Sequence, residues 1–126
     1  MSEDAVAAAY WTALDAGELR FQRCASCGTP WLPPQAACPA CLSEDWGWER
    51  ASGAATVVAS TVFHRAYHPA FENRLPYSVS LIELAEGPRL LSNVLAQDGA
   101  PAPGSQVELE ITRRDGATLA LFRPLG

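Results

Sequence analysis

Two pairs of cysteines near the start of the chain restrict its fold more than any other feature of the sequence. Each pair has two residues between its members and ten residues separate the pairs, which comprise Cys24, Cys27, Cys38 and Cys41. Two intervening residues allow one tight turn to direct both sulfurs at one point, and two such turns supply four thiolates in the tetrahedron that zinc prefers. The spacing therefore predicts one structural zinc ion per chain, held by these four cysteines in a ribbon or knuckle.

Three other uses of four cysteines are weighed against this interpretation. Two disulfides need an oxidising compartment, and the first residues lack the basic and then apolar run of a secretory signal. Iron in a rubredoxin-like site has the same geometry as zinc, and the sequence separates these two metals poorly. A catalytic zinc normally keeps one position open for water, and four cysteines leave none. The metal is therefore expected to have a structural role.

The segment before the cysteines is predicted to form an amphipathic helix over residues 4–16, with Asp4 as its N-cap and Gly17 as its stop. Its apolar face is made of Val6, Tyr10, Trp11, Ala13 and Leu14. Such a face is expected to lie against the rest of the chain or against a partner. After the cysteines, Trp31, Trp46 and Trp48 are expected to pack over the metal turns, or else to anchor a partner.

After Arg50 the sequence changes to short apolar and β-branched segments that are bounded by turns. Five strands are predicted, at residues 56–64, 77–84, 88–95, 106–112 and 118–122. Asp115-Gly116 is a strong hairpin signal between the last two. Five short antiparallel strands suit a small closed or partly closed barrel such as an OB-fold, and an SH3-like barrel fits their number nearly as well.

The charge of the chain argues against one common function of OB-folds, the binding of single-stranded nucleic acid. Lysine is absent, and nine arginines are outnumbered by 14 acidic residues, which gives a net charge of -5. Such a chain has no positive field to attract a polyanion, and the predicted second and third strands offer only Tyr77 and Arg89. Nucleic-acid binding is therefore the alternative function and not the leading one.

The sequence also has no apolar run of about 20 residues, so a soluble cytoplasmic protein is expected.

The sequence has no nucleotide-binding loop and no nucleophile elbow, and the cysteines are committed to metal. His64, His68 and Glu72 lie in the predicted loop at residues 64–76, where a histidine could act as a general base. A loop that makes contacts is the simpler interpretation. We therefore expect no catalytic residue in this chain.

At this point the sequence resembles a known family, the acyl-CoA-associated OB-fold proteins, once catalogued as a domain of unknown function. The resemblance is carried by the run FQRCASCGTPWLPPQAACPAC and by FHRAYHPAFENRLPYSVSLIELAEGPRLLSNVLA. The cysteine pairs alone are shared with many ribbons. Their combination with the Leu75-Pro76-Tyr77 segment, the turn at Gly87 and the Leu91-Ser92-Asn93 return is far more specific.

The resemblance implies a mainly β fold with an N-terminal helix at residues 1–20, a rubredoxin-like zinc ribbon at 21–48 and an OB-fold at 49–126. It also implies a non-catalytic but obligatory subunit of a thiolase-fold enzyme, either a retro-aldol lyase that shortens steroid side chains or a thiolase. A heterotetramer with acyl-CoA at or near the interface is expected, without nucleic acid or membrane. Related modules are fused to hydratases, so here any hydratase is expected on a separate chain.

Nine residues are the candidates for contact with the partner or with acyl-CoA under this resemblance. They are Trp11, Trp31, His64, Arg65, Tyr67, His68, Phe71, Arg74 and Arg89. The guanidinium groups of Arg65, Arg74 and Arg89 suit the phosphates of coenzyme A, because they can form bidentate hydrogen bonds.

Overall fold

The structure is a computed structural model and describes residues 2–63, 77–95, 101–114 and 116–125. Its elements are mainly strands, preceded by one helix within the described ranges, as predicted. In this part of the chain, no helix has both the length and the apolar character that crossing a membrane requires.

The helix, α1 (Glu3–Asp15), begins one residue earlier than the sequence predicts. The prediction of Asp4 as N-cap is wrong, because Ser2 has the extended backbone and its Oγ accepts the Ala5 N–H at 3.2 Å. Asp4 instead lies in the first turn, where a carboxylate is favoured by the positive end of the helix dipole. Gly17 follows the last turn with a φ of 90°, the left-handed conformation that commonly ends a helix.

A three-stranded sheet follows the helix, and the connections between its strands contain both cysteine-bearing turns of the chain. Its strands are β1 (Arg20–Cys24), β2 (Pro30–Trp31) and β3 (Trp46–Arg50), in the order β2-β1-β3, and all pairs are antiparallel. β1 is the central strand. Its last residue, Cys24, pairs directly with Trp46 in β3. This small sheet is the scaffold of the ribbon.

The five strands after the ribbon form a second sheet in the order β6-β5-β4-β7-β8. Their bounds are β4 (Ala54–Phe63), β5 (Tyr77–Leu84), β6 (Arg89–Ser92), β7 (Gln106–Arg114) and β8 (Ala117–Pro124). All five predicted strands are confirmed, although the third is shorter than predicted because residues 93–95 leave the edge of β5.

Residues 93–95 close this sheet into a barrel by pairing with its last strand. Val94 forms a parallel bridge with Phe122, and the N–H of Leu95 donates to the Phe122 carbonyl at 2.7 Å. The chain that continues β6 therefore meets β8 at the opposite edge of the sheet, which gives the five-stranded barrel of an OB-fold. A register shift between Val57 and Ala59 bends β4, which pairs with both β5 and β7.

One hydrophobic core joins the helix, the base of the ribbon and the barrel. It comprises Leu14, Leu19, Phe21, Ala51, Ala55, Val57, Ile82, Leu84, Val94, Val107 and Phe122. Both ends of α1 are also tied down, since Glu3 accepts the Ala36 N–H of the ribbon at 2.9 Å and Asp15 accepts from the Thr118 hydroxyl of β8. The three segments thus share contacts, and the predicted division at residues 20 and 48 stays a prediction.

Candidate metal centre and apolar groove

Two turns with the same hydrogen-bond pattern position the four cysteines. In the first, the Cys24 N–H donates to the Thr29 carbonyl at 2.9 Å and the Gly28 N–H donates to the Cys24 carbonyl at 3.0 Å. In the second turn, the Cys38 N–H donates to the Ser43 carbonyl at 2.9 Å, and the Leu42 N–H donates to the Cys38 carbonyl at 2.8 Å. Each turn therefore directs one pair of sulfurs toward the other pair.

The four sulfurs lie within 4.8 Å of one another, and none of the cysteines is in a disulfide. Cys24 Sγ is 3.5 Å from Cys41 Sγ, and Cys27 Sγ is 3.6 Å from Cys38 Sγ. Sulfurs around a tetrahedral zinc with bonds of about 2.3 Å lie about 3.8 Å apart, so these distances fit such an ion. The four positions predicted from the spacing are brought together.

Backbone N–H groups surround the two buried sulfurs. The N–H groups of Ser26 and Cys27 lie 3.3 and 3.4 Å from Cys24 Sγ, and the N–H of Ala40 lies 3.4 Å from Cys38 Sγ. Hydrogen bonds of this kind stabilise the negative charge of a thiolate. Cys24 and Cys38 are buried, whereas Cys27 and Cys41 are exposed, so the centre lies at the surface of the ribbon on one side.

The two exposed thiols, those of Cys27 and Cys41, differ in their tendency to lose a proton. The hydroxyl and backbone of Thr29 lower the pKa of Cys27 to about 6. The Ser43 N–H lowers the pKa of Cys41, but the sulfurs of Cys24 and Cys27 outweigh it and raise that pKa to about 12. Zinc binding therefore displaces thiol protons, and the affinity for zinc falls as the pH falls.

Aromatic residues and one buried amide complete the ribbon. Trp31, which is 4% exposed, packs on Cys24 and Cys38, and its ring meets that of Trp46 edge-on at a centroid distance of 6.1 Å. Gln22, which is fully buried, accepts the N–H of Gln35 at 2.9 Å and donates to the Gln35 carbonyl at 2.7 Å. The structure thus places Trp31, a predicted contact residue, inside the ribbon, where it supports the metal turns.

An apolar groove of about 520 Å³ lies between α1, the segment after β2 and strand β6. Its lining residues are Ala7, Tyr10, Trp11, Leu32, Pro33, Pro34, Leu81, Arg89, Leu90 and Leu91. Trp11 is 52% exposed and Leu91 is 72% exposed, so apolar surface remains open to solvent. Arg89 also lines the groove, and its Nε lies 2.8 Å from the Glu83 carboxylate in an exposed ion pair.

Two of the nine predicted contact residues, Trp11 and Arg89, therefore lie together in the groove. His64, Arg65, Tyr67, His68, Phe71 and Arg74 lie outside the described residues, as does Glu72. The segment 32–34 and Leu90-Leu91 were not predicted as part of a site. Neighbouring side chains of a strand face opposite sides, so one of two adjacent leucines must face away from the core. That pattern is the signal that could have identified Leu90-Leu91.

The ribbon and the barrel each match a model of a known protein family. Residues 11–47 match the family model described as "ChsH2, rubredoxin-like zinc ribbon domain", and residues 48–112 match "ChsH2, C-terminal OB-fold domain". The chain belongs to the ChsH2 (DUF35) family. The resemblance found in the sequence is thereby confirmed, and so is a rubredoxin-like zinc ribbon followed by an OB-fold. The ribbon match and the clustered sulfurs together support one structural zinc in this ChsH2-family chain.

A solved structure entitled "Ltp2-ChsH2(DUF35) aldolase" contains a chain that is 40% identical to this one. The similarity covers 93% of this chain and 92% of that chain, with a TM-score of 0.79. A crystal structure of a DUF35-family protein of unknown function from Sulfolobus solfataricus has a TM-score of 0.68 at 13% identity, covering 94% and 84% of the two chains. The second likeness concerns the fold alone.

Two curated relatives extend the comparison to longer proteins. The "Probable enoyl-CoA hydratase alpha subunit" of Thermomonospora curvata is 42% identical over 120 residues, which are 92% of this chain and 37% of that protein. The "DUF35 domain-containing scaffold protein" of Methanocaldococcus jannaschii is 35% identical over 74 residues, which are 58% of this chain and 52% of that protein. The ChsH2-family chain thus spans about a third and about a half of the length of these relatives.

Proposed function

We propose that the chain is a non-catalytic accessory subunit of a thiolase-fold enzyme that acts on acyl-CoA thioesters. The partner is a retro-aldol carbon-carbon lyase or a thiolase, and the pathway is the degradation of steroid or lipid side chains. The observation that carries the proposal is the similarity to the ChsH2 chain of the Ltp2-ChsH2 aldolase, which extends over both the ribbon and the barrel. The names of the two curated relatives, a hydratase subunit and a scaffold protein, agree with an accessory role.

The chemistry of the metal centre supports a structural contribution from this chain. Cys24, Cys27, Cys38 and Cys41 would hold the zinc through four thiolates. A zinc with four protein ligands stabilises a fold but offers no position for a substrate or a water. The reacting groups are therefore assigned to the partner, and this chain contributes a docking platform of helix, ribbon and barrel.

The apolar groove supports contact with an acyl-CoA at the interface with the partner. Trp11 and Leu91 offer exposed apolar surface for an acyl chain, and burying such surface is favourable. Arg89, in the same groove, offers a guanidinium to the phosphates of coenzyme A. Its ion pair with Glu83 is exposed, and exposed pairs contribute little, so Arg89 can exchange that partner for a ligand at small cost.

The proposal includes a stoichiometry and a location. Two copies of the chain are expected on a dimeric enzyme, which gives a heterotetramer. The location is the cytoplasm, because four cysteines that serve as zinc ligands must stay reduced, and cytoplasmic thiols are kept in that state.

Co-expression with a thiolase-type enzyme tests the proposal, and an enzyme of this type encoded beside the gene for this chain would be the first choice. We expect a stable complex, with turnover of acyl-CoA by the enzyme lower when this chain is left out and no turnover by the chain alone. Separate elution of the two proteins, together with unchanged enzyme activity, would refute the accessory role. Turnover by the isolated chain would move the function to His64, His68 and Glu72.

Arg89→Gln tests the proposed contact with acyl-CoA. In the complex we expect the KM for acyl-CoA to rise about tenfold with little change in kcat, since a hydrogen bond to a charged group contributes about 1.5–3 kcal/mol. Arg123→Gln is a matched control, because Arg123 is an exposed barrel arginine paired with Glu108 at 3.2 Å. Equal KM values for the two variants would exclude Arg89 from substrate binding.

A further inference from the structure

One wall of the apolar groove is made by a segment without regular secondary structure. Leu32, Pro33 and Pro34 form this wall, and residues 32–38, all of which are described, belong to no helix or strand. The two prolines have no N–H to donate, so a strand ladder cannot form along the wall. The other walls are α1 and the barrel strands, whose backbones are held by their own hydrogen bonds. The position of the wall at 32–34 therefore needs another source.

Side chains from three elements supply the hydrogen bonds that hold this segment. Directly after the prolines, the Gln35 N–H donates to Gln22 Oε1 at 2.9 Å, and the Gln35 carbonyl accepts from Gln22 Nε2 at 2.7 Å. The Ala36 N–H donates to the Glu3 carboxylate at 2.9 Å, and the Ala36 carbonyl accepts from Trp46 Nε1 at 2.8 Å. Four consecutive backbone groups are thus bonded to side chains of β1, α1 and β3, and we call these three side chains the clamp.

Gln22 is the central member of the clamp. It makes two of the four bonds and is fully buried, whereas Glu3 is exposed and Trp46 is half-buried. A buried amide costs free energy when it is unpaired, so these two bonds fix both the Gln22 side chain and the backbone that it meets. Gln22 neither lines the groove nor belongs to the metal ligands. A buried residue bonded to the backbone directly behind a wall is suited to hold that wall in position.

The wall at 32–34 is apolar, whereas the β6 side of the groove carries a charge. Leu32 packs against the shared hydrophobic core, and the two prolines add no polar side chain. Among the described residues that line the groove, Arg89 alone is charged, and it lies on β6. An acyl-CoA in this groove would therefore place its acyl chain against residues 32–34 and its phosphates toward β6.

We propose that Gln22 is a positioning residue that sets the affinity of the groove for acyl chains, because it holds residues 32–34 in place beside α1 and β6. The inference rests on the proposed function, since that function places acyl-CoA in the groove. Gln22 acts through the backbone of Gln35, so it governs the apolar wall and leaves the Arg89 guanidinium where it is. The same segment ends at Cys38, which connects the groove to the second metal turn.

The test measures two dissociation constants of the complex with a co-expressed thiolase-type enzyme, one for S-decyl-CoA and one for CoA. S-decyl-CoA is a thioether that the enzyme cannot cleave. Gln22→Met keeps a similar side-chain size and removes both hydrogen bonds. We expect it to bind S-decyl-CoA about tenfold more weakly, because about 50 Å² less apolar contact corresponds to that ratio. CoA, which has no acyl chain, should bind within about twofold of the wild type, because its phosphates meet Arg89 and not the wall.

The difference between the two ligands separates positioning from a merely structural role, since a loss of stability weakens the binding of both alike. Gln22→Met should also keep one zinc per chain, because Gln22 is not a ligand. The Gln35 amide should exchange with solvent about tenfold faster or more, because it loses its acceptor. Gln35→Ala is the matched control: the clamp uses only the backbone of Gln35, so this variant should bind both ligands as the wild type does.

Trp46→Phe is a second variant of the clamp. It removes the donor to the Ala36 carbonyl and keeps an aromatic ring beside Trp31. We expect S-decyl-CoA to bind about threefold more weakly and CoA to bind unchanged, since one hydrogen bond of the clamp is lost. This variant decides the matter if Gln22→Met loses its zinc, and wild-type affinity of Trp46→Phe for S-decyl-CoA would then overturn the inference.

Three further outcomes would contradict the positioning role. In Gln22→Met these are wild-type affinity for S-decyl-CoA, or an equal loss of affinity for both ligands. The third is a Gln35→Ala variant that binds S-decyl-CoA weakly, since the Gln35 side chain would then be the group that matters. A wild-type chain that forms no complex refutes the proposed function together with this inference. An intact complex with an unaffected Gln22→Met variant overturns the positioning role alone.

Discussion

Cys38→Ser is expected to abolish zinc binding and to unfold the ribbon. Cys38 is fully buried, and its sulfur lies 3.6 Å from that of Cys27, so a serine removes one of four ligands from the centre of the unit. Zinc contributes about 10–16 kcal/mol to the folding of units of this kind, far more than the small cluster around Trp31 could replace. Zinc content per chain and amide hydrogen exchange in β1, β2 and β3 measure the effect.

Ser26→Ala is the matched control, because Ser26 lies between two ligands but offers no sulfur. Its hydroxyl is bonded to that of Ser43 at the exposed surface, and we expect the variant to keep one zinc and the protection of the ribbon strands. A Cys38→Ser chain that still carries one zinc and still protects β1 would contradict the assignment of the metal site. A zinc-free ribbon that still binds the enzyme normally would contradict its role in docking.

Phe21→Ala is expected to destabilise the whole chain by about 3–5 kcal/mol, as truncation of a buried phenylalanine commonly does. Phe21 is fully buried on β1, a strand of the ribbon, and yet it packs in the core of the barrel beside residues such as Ile82 and Phe122. Its loss therefore leaves a cavity at the junction of the two units. Chemical denaturation of the zinc-loaded protein, followed by circular dichroism and by tryptophan fluorescence, measures the change.

Leu91→Ala is the control for this substitution, because Leu91 is a large apolar residue that is 72% exposed. We expect it to change the free energy of unfolding by less than about 0.5 kcal/mol in the isolated chain. The shared core further predicts that both probes of Phe21→Ala shift together, since three of the four tryptophans lie in the ribbon strands and circular dichroism is dominated by the barrel. A shift in one probe alone would show that ribbon and barrel fold independently.

Features that depend on local pattern could be predicted from the sequence. The spacing of Cys24, Cys27, Cys38 and Cys41 was sufficient for the metal site, since each turn is a local structure. The helix and the five barrel strands also follow from periodicity and from turn residues such as Gly17. Ser2 was missed as the N-cap because Asp4 is an equally good capping residue, and only the backbone conformation decides between them.

Features that depend on pairing between distant segments could not be predicted in this way. The ribbon strands are two to five residues long and are held by pairing and by the metal turns, so they have too few residues to show a period of two. The bridge between Val94 and Phe122, which closes the barrel, joins segments that are distant in the chain. The apolar groove likewise combines residues of α1, of segment 32–34 and of β6, and no single segment contains its pattern.

The central claim of this account is that the chain works as a zinc-containing, non-catalytic subunit of an enzyme whose reacting groups lie in a different chain. The mass of the co-purified product, measured by native mass spectrometry with zinc retained, tests this claim most directly. We predict a heterotetramer of two enzyme subunits and two copies of this 13.5 kDa chain, with one zinc for each copy in the ribbon. A free 13.5 kDa chain beside an unaccompanied enzyme dimer would contradict the account.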